Sequence, residues 1–191
     1  MKYIFSILAM FMLIGCVQTP PAGHAAVNNF SHIQPVNLNV ASIDVQDQYI
    51  PPMKAPNIEH MMVNPPYHAA YNLAKRSFNA VGANDELKII IHEAKIVQSS
   101  DNASAATFWS GGRTYLYKGF MRADVVLNQS VPPYSQLGKG EVKVNRVLKL
   151  PENTSLTQRE IAMNKMVEEM MNDFHSGLID VVQNKFNIVA P

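Results

Sequence analysis

The sequence predicts a two-layer α/β (α+β) sandwich. The expected order is β-α-β-β-β-α, with a mixed sheet of about four strands and two helices on one face. Three observations carry this reading. First, four stretches show the period of 2 or the β-branched richness of strands: 36–45, 86–98, 114–129 and 137–150. Second, two stretches, 65–81 and roughly 156–186, place apolar residues at helical spacing. Third, the chain holds one cysteine, so no disulfide can staple it and the fold rests on a hydrophobic core. A strand–helix–strand start dictates a right-handed parallel crossover, and the short links that follow dictate an antiparallel meander. Both helices then cover one sheet face.

The N-terminus is read before the domain. Lys2 precedes an apolar run from Ile4 to Ile14 that only Ser6 interrupts. The run is too short for a permanent span, which needs about 20 apolar residues, and has the proportions of a secretory signal. It ends in Leu13, Ile14, Gly15 and Cys16, a string that resembles a bacterial lipobox. The resemblance implies cleavage before Cys16 and acylation of its sulfur and amino group. Val17 follows, with no aspartate there to imply retention at the inner membrane. The expected location is therefore the cell envelope, lipid-anchored, on the periplasmic face of the outer membrane. Residues 17–35, with Pro20, Pro21 and Gly23, show no period of 2 or 3.6 and read as a flexible tether. As a coil of about 19 residues they reach roughly 25 Å. The expected divisions are a signal at 1–15, a lipidated tether at 16–35 and a single domain at 36–191.

Within the domain, Val36, Leu38 and Val40 alternate with Asn37 and Asn39, and Ile43 and Val45 fall on the other parity. One strand with a bulge near Ala41-Ser42 accounts for that switch. Residues 46–66 hold Pro51, Pro52, Pro56, Pro65 and Pro66, which excludes a helix or central strand. Tyr49, Ile50, Met53, Ile58, Met61 and Met62 predict that this long connection is packed down. Asn64 as cap and Pro65 at the first position start a helix that Gly82 terminates. In 86–98, Leu87, Ile89 and Ile91 share one face, with Ile90, His92, Ala94 and Ile96 on the other. Apolar residues on both faces predict a strand in the sheet centre, or one whose second face is covered. Tyr117, Met121, Ala123, Val125 and Leu127 oppose Lys118, Phe120, Arg122 and Asp124 in the next strand. Val142, Val144 and Leu148 oppose Glu141, Lys143 and Lys149 in the last. Ser155-x-x-Gln158 and Thr157-x-x-Glu160 are capping boxes for the closing helix. Met163, Met166, Val167, Met170, Met171, Phe174, Leu178, Val182 and Phe186 form its apolar stripe, which Gly177 allows to bend.

This layout resembles small α/β envelope lipoproteins. It is similar to the ABC-type transport auxiliary lipoproteins over most of residues 36–187. The stretch 44–82, with Pro56-Asn57-Ile58-Glu59-His60, is also similar to a broader group of bacterial lipoproteins. The resemblance implies a non-catalytic binding or auxiliary component of an envelope transport or assembly complex. Its partners would be the membrane, through the acyl chains, and a protein of that complex. The alternatives are an envelope lipid- or peptidoglycan-acting hydrolase and a purely structural envelope protein.

Chemical motifs are sparse. Sixteen basic residues balance fifteen acidic ones, which gives no global attraction to nucleic acid. The six histidines form no HExxH and have no C-x-x-C partner, so neither a metal nor another cofactor is expected. No Gly-x-Ser-x-Gly elbow and no Walker spacing occur, and no enzyme is expected. His60, near Glu59 and His68, and His92 are the residues a hydrolase would have to use. His92 and Glu93 should point to opposite faces. The methionine stripe reads as core, with an adaptable binding groove as the alternative. Phe108 and Trp109 in a polar loop are candidate anchors for a partner or for lipid, the alternative being that the loop folds back and covers the sheet. From 113 to 149, Arg113, Lys118, Arg122, Lys139, Lys143, Arg146 and Lys149 outnumber Asp124 and Glu141. Lys118, Phe120 and Arg122 therefore head the candidate contact surface.

Overall fold

The computed structural model describes residues 30, 33–101, 113–133 and 135–190. Its elements are β1 (Val36–Leu38), β2 (Ser42–Asp47), α1 (Pro66–Ser77), β3 (Phe78–Ala80), β4 (Glu86–Asp101), β5 (Thr114–Asn128), β6 (Gln136–Pro151) and α2 (Leu156–Asp180). The main sheet has the order β2-β4-β5-β6. β2 runs parallel to β4, and β4, β5 and β6 form the antiparallel meander. This is the α+β sandwich that the residue pattern predicts.

The first strand departs from expectation. Residues 36–45 are two strands in two sheets, not one bulged strand, because β1 pairs in parallel with β3. Between β1 and β2 the Val40 amide donates back to the Leu38 carbonyl at 2.9 Å, so both side chains reach the core. The Asn39 amide donates to the Ile188 carbonyl and the Ala41 amide to that of Asn84. Partners from distant segments satisfy a backbone that leaves the ladder.

Helix α1 is shorter than predicted at both ends. Pro65 takes the cap position and Pro66 the first helical position, so Asn64 is not the cap. Ser77 donates its hydroxyl to the Leu73 carbonyl at 2.7 Å, and Phe78 is already extended. Gly82 terminates β3 rather than a helix. A Cβ on it would lie 2.5 Å from the Asn39 carbonyl carbon, so the chain crosses there at backbone distance.

In β4 the ladder slips between Ile91 and Glu93. This bulge places Leu87, Ile89, Ile91, Ala94 and Ile96 all in the core, each fully buried. The apparent two-sided pattern is thus one buried face read through a bulge at His92. β5 alternates as expected. Tyr117, Met121, Ala123, Val125 and Leu127 are buried, while Lys118 and Arg122 are exposed.

Beyond Ile91, β4 has no further β2 partner. The proline-rich segment takes that edge. The Ile58 amide donates to Ile96, the Gln98 amide donates to Pro56, and Asn57 bridges Val97. Ile58 is buried, but Ile50, Met53 and Met61 are exposed, so the segment is packed down at fewer points than predicted.

Ser155 caps α2 by accepting from the Gln158 amide at 3.3 Å. Met163, Met166, Val167, Met170, Met171, Phe174 and Leu178 are buried, which makes the methionine stripe core. The α-helix ends at Asp180 and continues as a π-helical turn, Val181–Lys185. Gly177 serves close approach: a Cβ there would lie 2.5 Å from Val142 Cγ1 of β6. Gly119 and Gly140 open the same interface from the sheet side, beneath Met166 and Met170 and beneath Val181. Gly82→Ala is expected to cost about 2 kcal/mol, because backbone cannot yield to the added methyl. Gly119→Ala should cost clearly less, since flexible methionine ends can move. Chemical denaturation of the two variants checks the ranking.

Candidate functional site

The helices cover one face of the main sheet and leave the other open. Lys118, Phe120 and Arg122 lie on that open face, as strand alternation dictates. Its charges are mostly paired. Arg122 Nη1 lies 3.9 Å and Lys143 Nζ 2.7 Å from Glu141. Lys139 Nζ is 2.8 Å and His92 Nε2 is 3.1 Å from Asp124. Lys88 Nζ is 3.6 Å from Asp44, and Lys95 pairs with Glu93. The Lys95 ammonium also sits 5.4 Å from the Phe120 ring centroid.

Two expectations change here. Arg146 belongs to the helix-facing row and donates from Nε to Asp173 of α2 at 2.7 Å, so it adds nothing to the open face. Asp44 and Glu93, brought in by β2 and β4, come with Lys88 and Lys95 as their partners, so of these changes only the loss of Arg146 lowers the positive excess counted along 113–149. The bulge also places His92 and Glu93 together between buried Ile91 and Ala94, not on opposite faces, and both pair with open-face groups. Cys16, Leu13, Ile14, Gly15, Phe108 and Trp109 lie outside the described residues.

The proline-rich segment brings a buried acid. Glu59 is fully buried and accepts from the Tyr49 hydroxyl at 2.6 Å, Asn57 Nδ2 at 3.2 Å and the Ile96 amide at 3.3 Å. Burial, with the hydrogen bond to Glu59 and its charge, pushes the Tyr49 phenol well above its ordinary value. Glu59 is thus a clamp that holds the segment to β4. The His68 ring lies tilted against that of Tyr67 with centroids 4.5 Å apart, and His60 lines the recess beside Pro56 and Tyr115. Among the described residues, no group of three or more His, Cys, Asp or Glu could hold a metal ion.

Beside this clamp lies a cleft of about 400 Å³ that sequence reasoning missed. The 3-10 turn Glu59–Met61 and its flanks supply Ile58, Met61, Met62 and Val63. The sheet supplies Gln98 and Tyr117. The first turns of α2 supply Leu156, Arg159, Glu160, Met163 and Asn164 at the spacing of one helix face. Three lining groups, Tyr117 OH, Arg159 Nε and Asn164 Nδ2, are buried polar atoms without a hydrogen-bond partner among the described residues. Burial pushes the Tyr117 phenol up, and the nearby Arg159 guanidinium opposes that shift. The guanidinium lies 5.4 Å from the Tyr115 ring centroid. The sequence hinted at this site through the proline-rich gap and through the groove alternative for the methionine stripe, whose Met163 lines the cleft. The pairing of that gap with the start of α2, about 100 residues on, is not a local pattern.

No protein-family model matches the chain, and no curated protein matches it. Among solved structures the chain is similar to a crystal structure described as a minor lipoprotein from Acinetobacter baumannii. The TM-score is 0.39 and the identity 7%, over 83% of this chain and 98% of that one.

The open-face network makes a pH prediction. Burial would raise the Asp124 carboxyl, but hydrogen bonds and charge from Lys139 and His92 outweigh it and hold the group below 3.8. A carboxyl whose folded pKa lies below the unfolded one stabilises the fold above the unfolded value, about 3.9. That stabilisation is lost as pH falls through the folded value. Asp124→Asn should therefore cost about 1 kcal/mol at pH 7, and the gap to the parent should close below about pH 4. Denaturation midpoints across pH 3 to 8 measure it.

Proposed function

We propose that the chain is a bacterial envelope lipoprotein, cut before Cys16 and acylated there. Its domain acts without catalysis as a binding component of an envelope transport or assembly complex, on the periplasmic face of the outer membrane. The observation that carries the reading is the Leu13-Ile14-Gly15-Cys16 string at the end of a short apolar run, at the only cysteine. The domain behind it offers surfaces suited to binding: one open sheet face, and a cleft with three buried polar atoms that lack partners among the described residues. No helix among the described residues is long and apolar enough to cross a membrane, so this reading assigns attachment to the acyl chains. Each buried methylene contributes about 0.8 kcal/mol, and one chain anchors only marginally. Multiple chains on Cys16 would make attachment stable. The tether then sets the reach of the domain from the bilayer.

Two experiments test this. Growth with a clickable palmitate analogue should label the protein, and Cys16→Ser should abolish the label. An unlabelled parent protein overturns the lipoprotein reading. In intact cells, cross-linking and mass spectrometry should recover an envelope protein. The double variant Lys118→Glu, Arg122→Glu should reduce that recovery several-fold. Unchanged recovery would remove the open face from the contact surface.

A further inference from the structure

We propose that the cleft between the 3-10 turn Glu59–Met61 and the first turns of α2 binds a fatty acid, with its carboxylate on Arg159, Tyr117 and Asn164. This deepens the reading of the domain as a binding module and rests on it.

The first argument is polar accounting. A buried polar atom left unpaired costs about 1–3 kcal/mol, and native folds carry few of them. Here three such atoms line a single cleft. Tyr117 is only 1% exposed, so open solvent does not satisfy its hydroxyl. A ligand group in the cleft supplies the missing partners.

The second argument is the kind of partner those atoms need. Arg159 Nε–H and the Asn164 amide donate, and the Tyr117 hydroxyl can donate. Donors around a guanidinium select an acceptor-rich anion. Glu160 also lines the cleft, but it is solvent-exposed, where its repulsion is screened.

The third argument is the apolar wall. Met61, Val63 and Leu156 line the cleft and are 67%, 76% and 81% exposed. Large apolar side chains left this open on both sides of one cleft mark a binding surface. Methionines adapt to a flexible chain. A volume of about 400 Å³ lies at the small end of ligand sites, which fits one acyl chain and not a diacyl lipid.

The test uses residues 17–191, which retain every core residue from Phe30 to Val182. Calorimetric titration with laurate should show saturable binding at one site. Arg159→Gln should weaken it at least tenfold. Tyr117→Phe should weaken it several-fold without lowering the denaturation midpoint, because the hydroxyl it removes has no hydrogen-bond partner among the described residues. Leu156→Asp puts an acid at the first position of α2, where the helix dipole favours it. It should keep the helix content by circular dichroism and lose laurate binding. Dodecyltrimethylammonium, with the same chain and the opposite charge, should not bind. The proposal is overturned if folded protein shows no saturable uptake of laurate, or if the ammonium binds equally well. Binding of lysophosphatidylglycerol in place of laurate overturns the fatty acid as ligand. Absence of laurate binding with continued cross-linking to an envelope protein would overturn this inference alone, and the binding function of the domain would stand.

Discussion

The close approach of α2 to the sheet is the constraint on which the rest of the structure depends. Gly119 and Gly140 on the strands and Gly177 on the helix remove the Cβ atoms that would hold the layers apart. Met163, Met166, Met170, Met171, Phe174 and Leu178 then fill the interface. Each fully buried side chain of this kind contributes about 2 kcal/mol. Methionine suits an interface where glycine leaves irregular gaps, since it is unbranched and adaptable. With one sheet face sealed this way, the polar alternate residues of β5 and β6 turn to the other face, except Arg146, which finds Asp173 on α2. The start of α2 is also set at the height of the proline-rich segment, which creates the cleft.

The second constraint is how the edge of β4 is completed. β4 is sixteen residues long and β2 only six, so much of its edge would stand unpaired. Such an edge invites pairing with other chains. The proline-rich segment closes it with a few backbone hydrogen bonds, since prolines leave too few donors for a regular ladder. Glu59 compensates by accepting from Tyr49 and Asn57 of the segment itself and from the Ile96 amide of β4. A buried carboxylate is costly unless it is hydrogen-bonded, and this one is. The clamp also positions Ile58, Met61 and Val63 as one wall of the cleft.

The open face shows why net charge along a sequence is a poor guide to a surface. Lys118, Arg122, Lys139 and Lys143 look like a basic patch in sequence. In the sheet they stand among Asp124, Glu141, Glu93 and Asp44, and most of the ion pairs join neighbouring strands or near neighbours along one. Exposed pairs of this kind contribute up to about 1 kcal/mol each. Their effect is to pair most of the charges locally while leaving a polar, charged surface around Phe120.

By itself the sequence determined the properties that depend on local order. The signal-like run ending at Cys16, the succession of strands and helices, the alternation of β5 and the stripe of α2 follow from spacing along the chain, because backbone geometry repeats every 2 or 3.6 residues. Tertiary structure alone decided what depends on distant partners. The 36–45 stretch breaks in two because Leu38 and Val40 both enter the core and Asn84 and Ile188 take up the backbone between the strands. The bulge at His92 shifts the inward parity of β4, which a fixed period reads as two apolar faces. Alternation puts Arg146 on the helix-facing row of β6, but only the tertiary structure supplies Asp173 of α2 as its partner. The cleft exists because Met61 and Arg159 meet in space, and no periodicity in the sequence encodes that meeting.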